Sequence, residues 1–223
     1  NDGIITWELL VERFNSDLAN TLGNLVNRTI AMSNKYLGGV VADKGVTDTV
    51  DDDLKAVVTG CYDKVEKKME ELRVADALTE IFALFKRCNK YIDETTPWIL
   101  GKEEDKKDRL NTVMYNLVES IAIGASLLEP FMPETSAAIL KQLGTEKRSV
   151  TQMGQFGLYP NGNRVTDSPE ILFARIDTEK MLDEIERRFP SAPEEPEEKK
   201  SEKKASKEPN EENNEPTKVE AVQ

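Results

Sequence analysis

Leu18, Leu22, Leu25, Thr29, Met32 and Tyr36 recur in steps of four and three along the opening part of this chain. That spacing returns every side chain to one face of an α-helix. The same period reappears at Leu54, Val58, Cys61 and Val65, at Leu78, Ile81, Phe85, Cys88 and Ile92, and at Leu110, Met114, Leu117, Ile121 and Leu128. A set of apolar helical stripes is buried by packing helix on helix. The expected fold is therefore all-α, an antiparallel helix bundle.

Punctuation residues divide the bundle. A first helical stretch runs from near Trp7 to about Tyr36, with Ser16 placed to cap a new helix at Asn15-Ser16 and Gly38-Gly39 ending it. A loop follows from Val40 to about Thr49. Asp51, Asp52 and Asp53 open the next helix, where acids interact favourably with its positive end and a metal site is the poorer reading. A break near Arg73-Val74 separates this helix from one ending near Glu94, because Pro97 disfavours helical geometry at Thr96. The next helix spans about Asp105 to Glu129, and Pro133 starts one that ends before Gly144. From Thr145 to Arg175 the pattern is weak, which reads as a long loop folded back on the bundle. Asp177 or Thr178 caps a last amphipathic helix to about Phe189. Residues 1–190 thus form a helical domain. From 191 to 223 the chain holds Pro, Glu, Lys, Ser and Asn and no aromatic residue. Such a segment buries too little apolar surface to offset its chain entropy, so a disordered linker or tail is expected.

Composition removes whole classes of chemistry. Histidine is absent, so His-based acid–base catalysis, Ser-His and Cys-His pairs and His metal ligands are excluded. Cys61 and Cys88 cannot complete a zinc site and fall on apolar stripes, where they read as small buried hydrophobes. No disulfide framework is visible, which points to a reducing compartment, the cytoplasm. No run of about 18 apolar residues indicates a membrane span. The chain does not open on methionine, and a piece of a longer protein is expected.

The functional candidates are Asn24, Arg28 and Trp98. Asn24 and Arg28 are four apart and share a helix face. Their planar amide and guanidinium groups suit the edges of nucleobases. Trp98, directly after a proline, offers a flat ring on which a base can stack. Taken alone, the pair also fits an ordinary solvated face and the tryptophan a core position. Asn20 and Asn27 lie near the same face as supporting residues. Lys35, Lys102, Lys106, Lys107 and Arg109 fit ordinary surface charges better than phosphate contacts.

The segments around these residues carry a resemblance. NSDLANTLGNLVNRT and ALTEIFALFKRCNKYIDETTPWIL resemble the opening helix and the tryptophan-bearing turn of the anticodon-binding domain of methionyl-tRNA synthetase, a class I aminoacyl-tRNA synthetase. LLEPFMPETSAAIL and LFARID resemble later landmarks of that domain in the same order, so the match covers essentially residues 1 to 190. The resemblance implies that Asn24 and Arg28 contact anticodon bases and that Trp98 stacks on the first of them, in the anticodon CAU. The family's His-x-Gly-His element, Lys-Met-Ser-Lys-Ser loop and zinc-binding insert are missing. The resemblance therefore implies a recognition part with no cofactor of its own, attached to a catalytic part that uses ATP and, in some members, zinc. It further implies methionine tRNA as partner rather than DNA or a membrane, packing against that catalytic part, and a homodimer formed through a further C-terminal domain where one is present.

One property weighs against strong binding. The net charge is −12, and the tail from Ser191, with 10 acidic and 6 basic residues, supplies only part of it. Phosphate neutralisation normally provides much of nucleic-acid affinity, so the isolated domain should bind weakly. Two other readings remain at this stage: a helical protein-interaction module with no RNA role, and a self-contained enzyme, for which no catalytic constellation is present.

Overall fold

The structure is a computed structural model that describes residues 5–190. The 191–223 segment, expected to be disordered, lies outside the described residues. The helices are α1 (Trp7–Arg13), α2 (Asn24–Leu37), α3 (Thr49–Thr59), α4 (Cys61–Glu70), α5 (Val74–Thr95), α6 (Pro97–Leu100), α7 (Lys107–Leu128), α8 (Pro133–Leu143) and α9 (Thr178–Arg188). The chain divides into two units, one to Met181 and one from Leu182, so the boundary falls inside α9. In the first unit α7 is the central rod, buried along nearly its whole length, with α2, α3, α5 and α8 packed around it. The all-α expectation holds.

The apolar stripes form the core as the periodicity requires. Leu22, Leu25, Leu54, Val58, Ile81, Phe85, Cys88, Ile92, Leu110, Met114, Leu117 and Ile121 are all buried. Cys61 and Cys88 are free, and burial pushes both thiols up to about 12. They are hydrophobic packing and not nucleophiles at neutral pH.

Several boundaries differ from expectation. Ser16 caps nothing. Residues Phe14–Gly23 form a π-helical segment that joins α1 to α2 without a break, and the Ser16 hydroxyl donates back to the Arg13 carbonyl. The wider turn is visible where the Asn24 N–H donates to Ala19, five residues back, and the Thr21 hydroxyl reaches the Ser16 carbonyl. The single stripe from Leu54 to Val65 crosses a real break at Gly60, which separates α3 from α4. The loops expected at Val40–Thr49 and Thr145–Arg175 meet in a two-stranded antiparallel ribbon, β1 (Val40–Val41) pairing with β2 (Asn163–Arg164).

Two buried charged clusters hold the fold, and the first corrects the expectation that Arg109 is a surface charge. Asp51 accepts from Arg109 Nη1 and Nη2 at 2.6 and 2.8 Å, from the Tyr91 hydroxyl at 2.6 Å and from the Asp48 N–H at 3.0 Å. It completes a capping box with Asp48, as an acid at a helix start should, but its side chain is fully buried. Arg109 is therefore no surface charge: it ties α7 to α3. Burial alone would raise the Asp51 carboxyl, but the Arg109 and Tyr91 hydrogen bonds hold it below the usual range. Glu119, also fully buried, accepts from the backbone N–H groups of Gly157, Leu158 and Tyr159 and from Arg148 Nη2 at 2.6 Å. That one carboxylate clamps the long irregular loop onto α7, so the loop is folded back on the bundle as expected.

Candidate nucleic-acid interface

Asn24 is the first residue of α2, directly after the π-helical segment. It is exposed, and its side-chain amide has no partner among the described residues. Arg28 follows one turn later on the same face. Its side chain is 33% exposed and its Nη2 lies 3.7 Å from Asp93 Oδ1 of α5. The junction that sets this face is held from outside. Asn89 of α5 donates its amide to the Thr21 carbonyl at 3.0 Å, inside the π segment. A π-helical turn redirects side chains relative to an α-helix and is common at functional sites.

Trp98 arrives from the other direction. Thr96 adopts a left-handed backbone (φ 44°, ψ 60°), unusual for a β-branched residue. That conformation ends α5, and the Thr96 carbonyl then accepts from Ile99 at 2.8 Å to start the single turn of α6. Pro97 is buried at the first helical position, where its missing N–H costs nothing. The expected end of α5 near Glu94 is thus confirmed to within a residue, and Trp98 sits on a helical turn rather than a loop. Gly101 fixes the far end of α6. A Cβ at this glycine would meet the Tyr36 ring of α2 at 2.5 Å, so only glycine permits this approach. Trp98 itself is half-buried and packs against the core, with part of the ring left exposed.

These two supports bring Arg28 and Trp98 together. The Arg28 guanidinium carbon stands 6.0 Å from the centroid of the Trp98 ring, within cation–π reach. Of the three residues expected to act together, Arg28 and Trp98 meet near the C-terminal end of α5, and Asn24 lies one turn before Arg28 on the same face of α2. Sequence reasoning missed Asn89, Asp93 and Gly101, which hold them there. The spacing of Asn89 and Asp93, four apart on the α5 face, was the available signal.

The basic residues considered as phosphate contacts are mostly engaged locally. Lys106 pairs with Glu103 and Lys107 with Glu104, and Lys35 lies over the Tyr36 ring at 5.1 Å. Among the described residues there is no group of three or more His, Cys, Asp or Glu side chains able to hold a metal, and no helix is long and apolar enough to cross a membrane.

Comparison with known proteins bears on the same elements. Residues 41–194 match the family described as the anticodon binding domain of methionyl tRNA ligase. The chain belongs to that family. Asn24 and Arg28 precede the matched span and Trp98 lies within it. The methionine–tRNA ligase of Caldanaerobacter subterraneus subsp. tengcongensis is 46% identical over 188 residues, covering 84% of this chain and 29% of the relative. That of Clostridium tetani is 43% identical over 185 residues, with 83% and 29% covered. The structure of free-state Mycobacterium tuberculosis methionyl-tRNA synthetase superposes with a TM-score of 0.73 at 33% identity, over 79% of this chain and 36% of that one. The chain spans less than a third of the length of these two curated relatives. Family membership favours the anticodon-binding reading over a protein-interaction module.

Proposed function

We propose that this domain reads the CAU anticodon of methionine tRNA on behalf of a methionine–tRNA ligase. The observation that carries the reading is the meeting of Arg28 with the partly exposed Trp98, with an Asn24 amide one turn earlier on the Arg28 face that has no partner among the described residues. Single-stranded loop bases can be splayed out, stacked and hydrogen-bonded at their edges. Trp98 supplies the stacking face. The Asn24 amide both donates and accepts, so it can test a Watson–Crick edge. Arg28 presents a planar fork to base acceptors. Attachment of methionine to tRNA, with its use of ATP and, in some members of the family, zinc, belongs to the remainder of the parent enzyme. So does any dimerisation through a further C-terminal domain. The site of action in this reading is the cytoplasm.

Binding of a CAU anticodon stem-loop, compared with one of changed anticodon, tests the proposal. The parent should prefer the CAU RNA. Arg28→Lys keeps the charge and loses the fork, so the preference should shrink. Equal binding of both RNAs by the parent would overturn the reading.

A further inference from the structure

Lys86, Lys90 and Asp93 stand at i, i+4 and i+7 on α5 and so share one helical stripe. Asp93, at the end nearer Trp98, pairs with Arg28 of α2. Lys86, at the other end, reaches Asp17 of the π-helical segment at 3.8 Å. The stripe therefore runs alongside the continuous rod that carries Asn24 and Arg28. Arg13 continues the row, because it reaches the same Asp17 carboxylate at 3.4 Å. Arg13, Lys86 and Lys90 thus lead away from the Trp98 site along one side of the bundle, their side chains 61–70% exposed.

The way these cations are held matters. Their pairs measure 3.4 Å to 3.8 Å, with Lys90 at 3.5 Å from Glu94. Charge-assisted hydrogen bonds in good geometry are about 2.7–2.9 Å. The buried Arg109–Asp51 and Arg148–Glu119 pairs, both at 2.6 Å, show what a committed pair looks like in this protein. Long, exposed pairs contribute little to stability, so exchanging their carboxylates for other anions costs little.

We propose that Arg13, Lys86 and Lys90 grip the phosphate backbone of the RNA strand adjoining the base stacked on Trp98, with Asp17 the counter-ion that Arg13 and Lys86 release and Glu94 the one that Lys90 releases. This rests on the reading of Asn24, Arg28 and Trp98 given above. It bears on how a chain of net charge −12 can hold an RNA strand: the cations of this row are exposed and only loosely paired with the acids Asp17 and Glu94 interleaved among them. Phosphate contacts carry no sequence information, so this row sets affinity and register while the three site residues read bases.

The test is binding of the CAU stem-loop to the full chain between 50 and 200 mM salt. For single strands each phosphate contact contributes about 0.7 to the slope of log affinity against log salt, or about 2.6-fold across this range. Lys86→Gln with Lys90→Gln should therefore flatten the salt dependence by up to about sevenfold. It should weaken CAU and changed-anticodon RNAs by the same factor. Asp17→Asn, which frees Arg13 and Lys86, should instead tighten binding. Lys64→Gln with Lys67→Gln on α4 should change nothing. An unchanged slope in the Lys86 and Lys90 variant, with Trp98→Ala still impairing binding, would overturn the backbone grip and leave the base-reading site standing. Failure of the parent to bind any stem-loop would overturn both.

Discussion

Replacing Trp98 separates two roles that its position combines. The ring packs against the core and also exposes part of its surface beside Arg28. Full truncation of a buried tryptophan costs about 3–5 kcal/mol. Trp98 is more than half buried but not wholly so, and Trp98→Ala should fall at or just below the lower end of that range, about 2–3 kcal/mol. In a domain of this size that lowers the melting temperature by about 4–12 °C and leaves the protein folded at 25 °C. Loss of a stacked base is worth about 1–3 kcal/mol, which is about 5- to 150-fold in affinity for a CAU stem-loop. The packing of Trp98 against the core makes a measurable melting shift the expectation.

Trp98→Leu isolates the stacking component. Leucine keeps apolar contact with the core but offers no flat face, whereas Trp98→Phe keeps a smaller one. Melting curves and stem-loop titrations on the three variants should place leucine near phenylalanine in stability and near alanine in RNA binding. A leucine variant that binds as tightly as the parent would refute stacking. So would an alanine variant whose entire binding loss is explained by its unfolded fraction.

Gly101→Ala places a Cβ 2.5 Å from the Tyr36 ring and should push α6 away from α2; RNA affinity should fall by more than the melting temperature predicts, and unchanged affinity would show that this contact does not position Trp98. Asp51→Asn breaks a buried pair with Arg109 and should cost about 3 kcal/mol by denaturant unfolding. The same pair gives a pH signature. The folded Asp51 carboxyl lies below its ordinary value of 3.8, so its contribution is fully present above that pH and disappears as pH falls through the lower folded value. Melting temperature below about pH 4 should therefore drop more steeply in the parent than in Asp51→Asn, and parallel curves would count against the pair.

Much of the bundle was legible because burial follows helical period, and a stripe such as Leu110, Met114, Leu117 and Ile121 leaves little choice of face. What stayed hidden has specific causes. The Gly60 break does not interrupt the stripe from Leu54 to Val65, so periodicity cannot see it. The π-helical segment adds a residue per turn while Leu18, Leu22 and Leu25 keep ordinary spacing in the sequence. The burial of Asp51 and Glu119 stayed hidden because carboxylates are almost never fully buried unless paired. Their partners are remote: Arg109 lies 58 residues from Asp51, and the N–H groups that Glu119 binds are 38 to 40 residues away. The ribbon of β1 and β2 pairs two residues with two, too short for any alternation to register.

The candidate site was legible as residue types and as a resemblance, but not as a geometry. Asn24 and Arg28 could be placed on one face from their spacing; nothing in that spacing brings Trp98 to them. The structure does so through α5, which acts at both ends of the arrangement. Near its C-terminal end, Asn89 pins the π segment that sets the direction of Asn24 and Arg28. At the end itself, left-handed Thr96 turns the chain into the short helix that carries Trp98. A left-handed threonine costs about 1–2 kcal/mol, which the fold sustains because Pro97 is buried on one side and Gly101 is locked against Tyr36 on the other. Under the proposed anticodon-reading function, side chains on such supports start close to their working positions, so less freedom is lost on binding. That pre-organisation matters most in an acidic domain, where long-range attraction contributes little and the few direct contacts must supply discrimination.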